Sequence, residues 1–366
     1  MICLILGGTG VMGRHLVKLL EEDNHDVYVT SRKKIDSTSK THYLTGNARD
    51  DGFLKYCVDE ISKQESDKID VIVDFMNYKT DEFAKKVDFL LNNTRQYIYL
   101  SSSRVYADAG KEMITENSNR LLDIIEDEVY LATDEYALTK ARQENLLCTN
   151  KKRNWTIVRP YITFDSERLQ LGGYEKEQWL QRAVKGKPIV FSKDIASKYT
   201  TLAYGEDVSR CIFYLMNNDL AIGEIFHIAG NKPIQWQRVL DIYTNVLERY
   251  LKKPVPVIYT ETAAIAEEQK YQYKYDRLYN RIFDNTKLFS VIGNQFEFID
   301  VEEALRISLE SFLEGKQCFR YISPKSEAIL DRSAKIVGGL SIFPLKGKVK
   351  YLWYRYIKPE LFTALR

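Results

Sequence analysis

Short apolar runs alternate with stretches of helical periodicity through the first 160 positions. Ile2, Leu4, Ile5 and Leu6 make one run, a glycine-rich loop follows, and Leu16, Val17, Leu19 and Leu20 recur at helical spacing. Val27 to Thr30 predicts a second strand and His42 to Leu44 a third. A helix around Phe53 to Ser62 leads to the strongest strand, Asp70-Val71-Ile72-Val73-Asp74-Phe75. Phe83, Val87, Leu90 and Leu91 mark another helix before the strand Tyr97-Ile98-Tyr99-Leu100. Tyr136 to Leu147 predicts a helix and Trp155 to Val158 a strand closed by Arg159-Pro160. Such alternation predicts an α/β protein with a parallel, doubly wound sheet.

Beyond Pro160 the pattern loosens. Residues 161–198 mix aromatics, charges and Gly172-Gly173, while Leu202 to Met216 and Ile225 to Ala229 read as elements returning to the sheet. Residues 231–330 are mostly helical. The expected organisation is a nucleotide-binding domain over 1–160 with return elements at about 200–229. A substrate region interleaves with it over 161–198 and 230–335, and 336–366 form a basic, aromatic tail.

The loop Gly7-Gly8-Thr9-Gly10-Val11-Met12-Gly13 carries the first chemistry. Gly7 or Gly8 lets the strand turn, Gly10 lets backbone approach a pyrophosphate, and Gly13 lets the helix pack closely. The helix N-terminus offers free N–H groups and positive dipole to phosphate. The loop fits Gly8-x-Gly10-x-x-Gly13 and also Gly7-x-x-Gly10-x-x-Gly13. Its place between strand and helix turns a weak motif into a Rossmann-like dinucleotide site. Thr9, Val11 and Met12 are assigned to the cofactor with the glycines.

An NAD site of this fold usually carries a carboxylate about 20 residues past the loop, at the end of the second strand. Here that place holds Ser31-Arg32-Lys33-Lys34. A guanidinium suits a 2′-phosphate through charge-assisted bonds, so Arg32 predicts NADP, with NAD as the alternative. A solvated basic turn would give the same residues.

Tyr136-Ala-Leu-Thr-Lys140 puts a phenol and an ammonium on one helix face. A free tyrosine titrates near pH ~10, and a neighbouring cation favours the phenolate. The pair suits proton transfer to or from an alcohol or carbonyl oxygen. Among 25 tyrosines the spacing alone is weak. It gains weight by following Ser101-Ser102-Ser103-Arg104-Val105-Tyr106 at the end of a central strand, where ligands of such sheets bind.

Loop, serines, tyrosine and lysine together resemble the extended short-chain dehydrogenase/reductase, NAD-dependent epimerase/dehydratase family, from residue 2 to about 335. The resemblance implies Ser102, Tyr136 and Lys140 as catalytic residues. It assigns Asn47 to the adenine edge, Phe75, Met76 and Asn77 to the ribose side, and Pro160 with Tyr161 to the nicotinamide. It also implies a sugar-like, possibly nucleotide-sugar, substrate and a homodimer formed through helices 81–93 and 136–148. Sugar 4,6-dehydratases of the family carry Asp-Glu after the catalytic threonine. Ser103-Arg104 stands there, which disfavours dehydration. Thr200 stands where nucleotide-sugar members have a diphosphate-gripping arginine, with Lys198 or Arg182 as point-charge substitutes. Ile162 replaces an asparagine of many epimerases. Epimerisation, single NADPH-dependent reduction of a non-nucleotide carbonyl compound and a non-catalytic NADP-binding sensor or scaffold stay open.

Composition adds exclusions. A hydrophobic fraction of 45%, a charged fraction of 28% and a net charge of +2 fit a globular chain with no electrostatic case for nucleic acid. No apolar run spans a membrane. No basic n-region precedes the first strand, so a cytoplasmic location is expected. Cys3, Cys57, Cys148, Cys211 and Cys318 lack metal-ligand or redox spacing and read as small core residues. His15, His25, His42 and His227 are isolated, so no metal is expected. In the tail, Val349, Leu352, Trp353, Tyr356 and Ile357 recur at helical spacing, flanked by Lys346, Lys348, Lys350, Arg355 and Lys358. Docking of this stripe on the chain's own core or a partner subunit is favoured over an anionic membrane surface.

Overall fold

The computed structural model describes residues 1–64, 68–264, 267–336 and 340–357. Seven strands form the central sheet: β1 (Ile2–Leu6), β2 (Asp26–Ser31), β3 (Thr41–Thr45), β4 (Ile69–Asp74), β5 (Thr94–Leu100), β6 (Trp155–Pro160) and β7 (Glu224–Ile228). All pair parallel in the order β7-β6-β5-β4-β1-β2-β3. The chain runs outward from β1 through β2 to β3, then crosses back to β4 on the other side of β1. That reversal opens a crevice at the carboxyl ends of β1 and β4.

Helices cover both faces, which explains the unbroken apolar strands. Cys3 and Ile5 of β1 face α1 (Val11–Glu22) and join one core with its Leu16, Val17 and Leu20. Leu4 and Leu6 point the other way, into a core with α2 (Asp51–Gln64) and α3 (Thr80–Asn92). α4 (Tyr136–Cys148) and α5 (Gly205–Leu215) complete the layers. No side chain caps α1 at Gly10. A missing cap costs about 1 kcal/mol, whereas each fully buried leucine contributes about 1.5–3 kcal/mol. Packing holds α1 in place, and its first N–H groups stay free of a capping side chain.

Most of the region after β6 packs into a second large core. Trp179 stacks on Tyr243 of α6 (Trp236–Leu251), ring centroids 4.6 Å apart, and α6 packs on α7 (Val301–Glu314). α8 (Pro324–Ser333) is tied to this region by a buried ion cluster. Arg182 contacts Glu327 at 2.8 Å and Asp331 at 2.7 Å, and Lys187 reaches the same two carboxylates.

Two expectations change. Cys148 and Cys318 are exposed, so only Cys3, Cys57 and Cys211 are core residues. The tail forms α9 (Leu345–Leu352), continued by a wider helical turn to Ile357, but its apolar stripe is not docked on the core of this chain. Val349, Leu352, Trp353, Tyr356 and Ile357 are exposed, while Gly347, Tyr351 and Arg355 pack inward. Tyr351 donates to Asp331 at 2.7 Å. Lys358 lies outside the described residues. Within the chain, α4 packs through Ala137 and Leu138 on Leu121, Tyr130 and Tyr275, and its Asn145 and Cys148 are exposed.

Candidate active site

A cleft of about 1180 Å3 lies over the carboxyl ends of β1, β2 and β4. It is lined by Gly7, Thr9 and Gly10 of the glycine loop, Arg32 and Lys33 after β2, Asn47 after β3, and Phe75, Met76 and Asn77 after β4. Most of the proposed cofactor residues are therefore brought together. Gly7 has φ +72°, a turn that glycine makes without strain. A Cβ on Gly13 would lie 2.6 Å from the Gly8 backbone. The close approach at Gly13 is thus of helix to loop. This tight turn, delivering an uncapped helix end to the cleft, fits a pyrophosphate.

Buried Asp74 organises the floor. It accepts from the Met76 N–H at 2.8 Å and the Tyr97 hydroxyl at 2.8 Å, and burial pushes its carboxyl up to about 6. Arg32 is exposed at the edge of the cleft, and the Ser31 hydroxyl accepts from the Lys33 N–H at 3.1 Å.

A second cavity, about 240 Å3, adjoins the sheet beneath α4. Met12, Ser102, Tyr136, Pro160 and Ile162 all line it. The three serines are told apart by their partners. Ser101 donates to Glu144 at 2.6 Å and Ser103 donates to the Arg159 carbonyl at 2.7 Å. Ser102 accepts from the Arg104 N–H at 3.2 Å, which leaves its own proton for a ligand. Lys140 is buried, donates to the Leu100 carbonyl at 2.7 Å and lies 4.7 Å over the Tyr99 ring. The guanidinium of Arg104 lies over the Tyr136 ring, 5.5 Å from its centre. Val11 and Gly13 of the loop line neither space, and Tyr161 packs in the core 5.0 Å from the Phe283 ring. Ile162 holds φ +26°, a conformation that costs a β-branched residue about 1–3 kcal/mol.

Glu144 is the anchor that sequence reasoning missed. It follows Tyr136 and Lys140 by one further helical turn, and Arg159 grips both its oxygens at 2.7 Å. Arg120 adds a contact at 3.1 Å. Breaking such a buried pair by removing one partner costs about 3–5 kcal/mol, so this cluster fixes α4 and the face that carries Tyr136 and Lys140. Arg182 is consumed by Glu327 and Asp331 and lines neither space; Lys198 lines neither as well. Among the described residues no cluster of three or more His, Cys, Asp or Glu side chains is placed to hold a metal ion. No described helix is long and apolar enough to cross a membrane.

Burial pulls the Lys140 ammonium down to about 8, against the opposing pull of Asp74 and Glu144. Its folded value lies below the ordinary lysine value, so the unfolded chain binds more protons between about pH 8 and 10. Stability from this group therefore rises with pH across that window. The melting-temperature gap between Lys140→Met and the parent is expected to change in the parent's favour from pH 8 to 10. A gap independent of pH would contradict the burial of a charged Lys140.

The sheet order, the glycine turn and the cleft define a dinucleotide-binding protein of Rossmann type. The family model for the NAD dependent epimerase/dehydratase family matches residues 3–229, and the chain belongs to that family. It is similar to the chloroplast stem-loop binding protein of 41 kDa b of Arabidopsis thaliana. The two are 26% identical over 248 residues, covering 63% of this chain and 59% of that one. It is also 27% identical over 106 residues to the 2'-dehydrokanamycin reductase of Streptomyces kanamyceticus, 29% of each chain. The chain thus spans less than two thirds of the length of either relative. Its fold resembles the dTDP-glucose 4,6-dehydratase of Bacillus anthracis, solved in complex with NAD. The TM-score is 0.65 at 14% identity, over 87% of this chain and 99% of that one.

Proposed function

We propose that this chain moves hydride between NADP(H) and a sugar-like hydroxyl or carbonyl group. Tyr136 would exchange the proton of the reacting oxygen, and Ser102 would hydrogen-bond that oxygen. Lys140 would stand behind them as the buried cation. The observation that carries this reading is that Ser102 and Tyr136 line one small cavity with Met12 and Pro160. The nicotinamide supplies or accepts the hydride when bound. No carboxylate lines the cavity, which supports redox chemistry over dehydration.

Two forms of the reaction differ in whether the cofactor leaves. An epimerase keeps its dinucleotide, so the purified protein carries it and a nucleotide-sugar substrate turns over without net change at 340 nm. A reductase consumes NADPH in step with product. Arg32 and Lys33 beside the cleft, with no acid at the end of β2, favour NADPH and hence the reductive form. The test is identification of released dinucleotide together with absorbance at 340 nm over a panel of sugars and nucleotide sugars. Neither bound dinucleotide nor NADPH consumption would overturn the proposal and leave the binding-scaffold reading, which the name of the Arabidopsis relative suggests. Arg32→Ala is expected to weaken NADPH about tenfold or more and NADH little, since a bond to a charged group contributes about 1.5–3 kcal/mol. Equal losses for both would refute the assignment of Arg32 to the 2′-phosphate.

A further inference from the structure

The cavity holding Ser102 and Tyr136 is also lined by three arginines, Arg104, Arg168 and Arg277, and by no carboxylate. Their positions in the chain are unrelated. Arg104 follows β5, Arg168 lies in the loop after β6, and Arg277 comes from the substrate region. Tertiary structure alone gathers them.

Gathering positive charge in a small space is costly unless anions offset it. Arg104 has one carboxylate partner, Glu135 at 2.6 Å, and its buried Nε is without a hydrogen-bond partner. Arg277 is buried, donates to the Gly172 carbonyl at 3.1 Å and contacts Asp276. Asp276 is shared with Arg281, 2.9 Å away, so one negative charge serves two guanidiniums. Arg281 spends its other donors on the carbonyls of Tyr106, Ala107 and Tyr275 and is structural. Arg168 is half-exposed at the cavity mouth, and its nearest carboxylate, Glu175, stands at 3.7 Å, beyond hydrogen-bond reach. Burial lowers Arg277 to about 10, and the charges of Arg104 and Arg168 push in the same direction, so the three feel one another.

We propose that the substrate carries an anionic oxygen group, carboxylate or phosphate ester, on the same sugar-sized unit that bears the reacting carbon, and that Arg104, Arg168 and Arg277 bind it. Guanidinium forks match carboxylate and phosphate oxygens in pairs. The cavity is smaller than the roughly 300–1,000 Å3 typical of drug-sized ligands, room for about one ring beside the three arginines. Proximity to Tyr136 places the anion on the reacting ring, not on a remote diphosphate. The idea deepens the hydride-transfer reading and rests on it for the words "reacting carbon" alone.

The test titrates the full chain, alone and loaded with NADP+, with D-glucuronate, D-glucose 6-phosphate and D-glucose. At least one acidic sugar is expected to bind about ten- to a hundredfold more tightly than glucose, and which one identifies carboxylate or phosphate. That advantage should fall about tenfold in Arg168→Gln and shrink with added salt, while NADP+ affinity, the control for folding, stays unchanged. Arg277→Lys, which keeps charge but loses the fork, should reduce it as well. Acidic sugars binding no better than glucose, including no binding by any, would overturn the proposal. So would an advantage that survives both substitutions. Tyr136→Phe separates the two readings: it should lower turnover at least about a hundredfold and keep the preference for acid. Turnover within threefold of the parent in that variant would sink Tyr136 as the acid/base of the hydride-transfer reading and leave the anion result standing.

Discussion

Tyr136→Phe is expected to lower turnover by about 10²- to 10⁴-fold, the range for losing a positioned acid/base, with dinucleotide affinity and melting temperature unchanged. The substitution removes one oxygen. The ring stays under Arg104, and the start of α4 stays pinned because the Glu135 carboxylate accepts from the Ala137 N–H at 2.8 Å. Glu135 also accepts from Arg104 at 2.6 Å and from Tyr130 at 3.1 Å, none of which involves the Tyr136 hydroxyl. A rate within threefold of the parent would remove the phenol from the chemistry. A loss of folding would instead show a structural hydrogen bond that the geometry does not contain.

The second large effect is expected at Gly13. An added methyl group would meet the Cα, carbonyl carbon and oxygen of Gly8, all at 2.6 Å. These are backbone atoms, so relief requires moving either the loop or α1. Overpacking of this kind costs about 1–3 kcal/mol, and the loop that shifts is the one expected to hold the pyrophosphate. Gly13→Ala should therefore lower the melting temperature and weaken dinucleotide binding at least about tenfold, while the far-ultraviolet circular dichroism keeps its shape. Thermal melts and a fluorescence titration with NADPH check both parts. Unchanged affinity in a destabilised variant would show that the contact serves packing alone.

The sheet was legible because its strands are buried on both faces and so stand out as apolar runs between amphipathic helices. The positions of Tyr136 and Lys140 on one face were legible for the same reason, through spacing. Ser102 is a different case. Its neighbours Ser101 and Ser103 are disqualified only by bonds to Glu144 and the Arg159 carbonyl, which lie 43 and 56 residues away. Glu144 did leave a signal, a carboxylate at the third position of the series 136, 140, 144. Arg168 and Arg277 left none, since nothing local distinguishes them from surface arginines. In the tail the helical period was visible, but two faces carried it. Gly347 admits the Phe343 side chain, whose Cβ an added Cβ would meet at 2.9 Å, and Tyr351 finds Asp331. Close approach and one polar partner select the inward face, and hydrophobicity alone points to the wrong one.

The ion cluster at Arg182 has a consequence for biogenesis. Arg182 and Glu327 are separated by 145 residues, so a ribosome must make nearly the whole chain before the guanidinium meets its acid. The parallel sheet, which draws β7 from beyond residue 220, closes earlier. A nascent chain interrupted between these points would carry all seven strands of the sheet beside an open second half, its arginine still hydrated. Synthesis from the amino terminus thus orders assembly, with α8 as the last keystone.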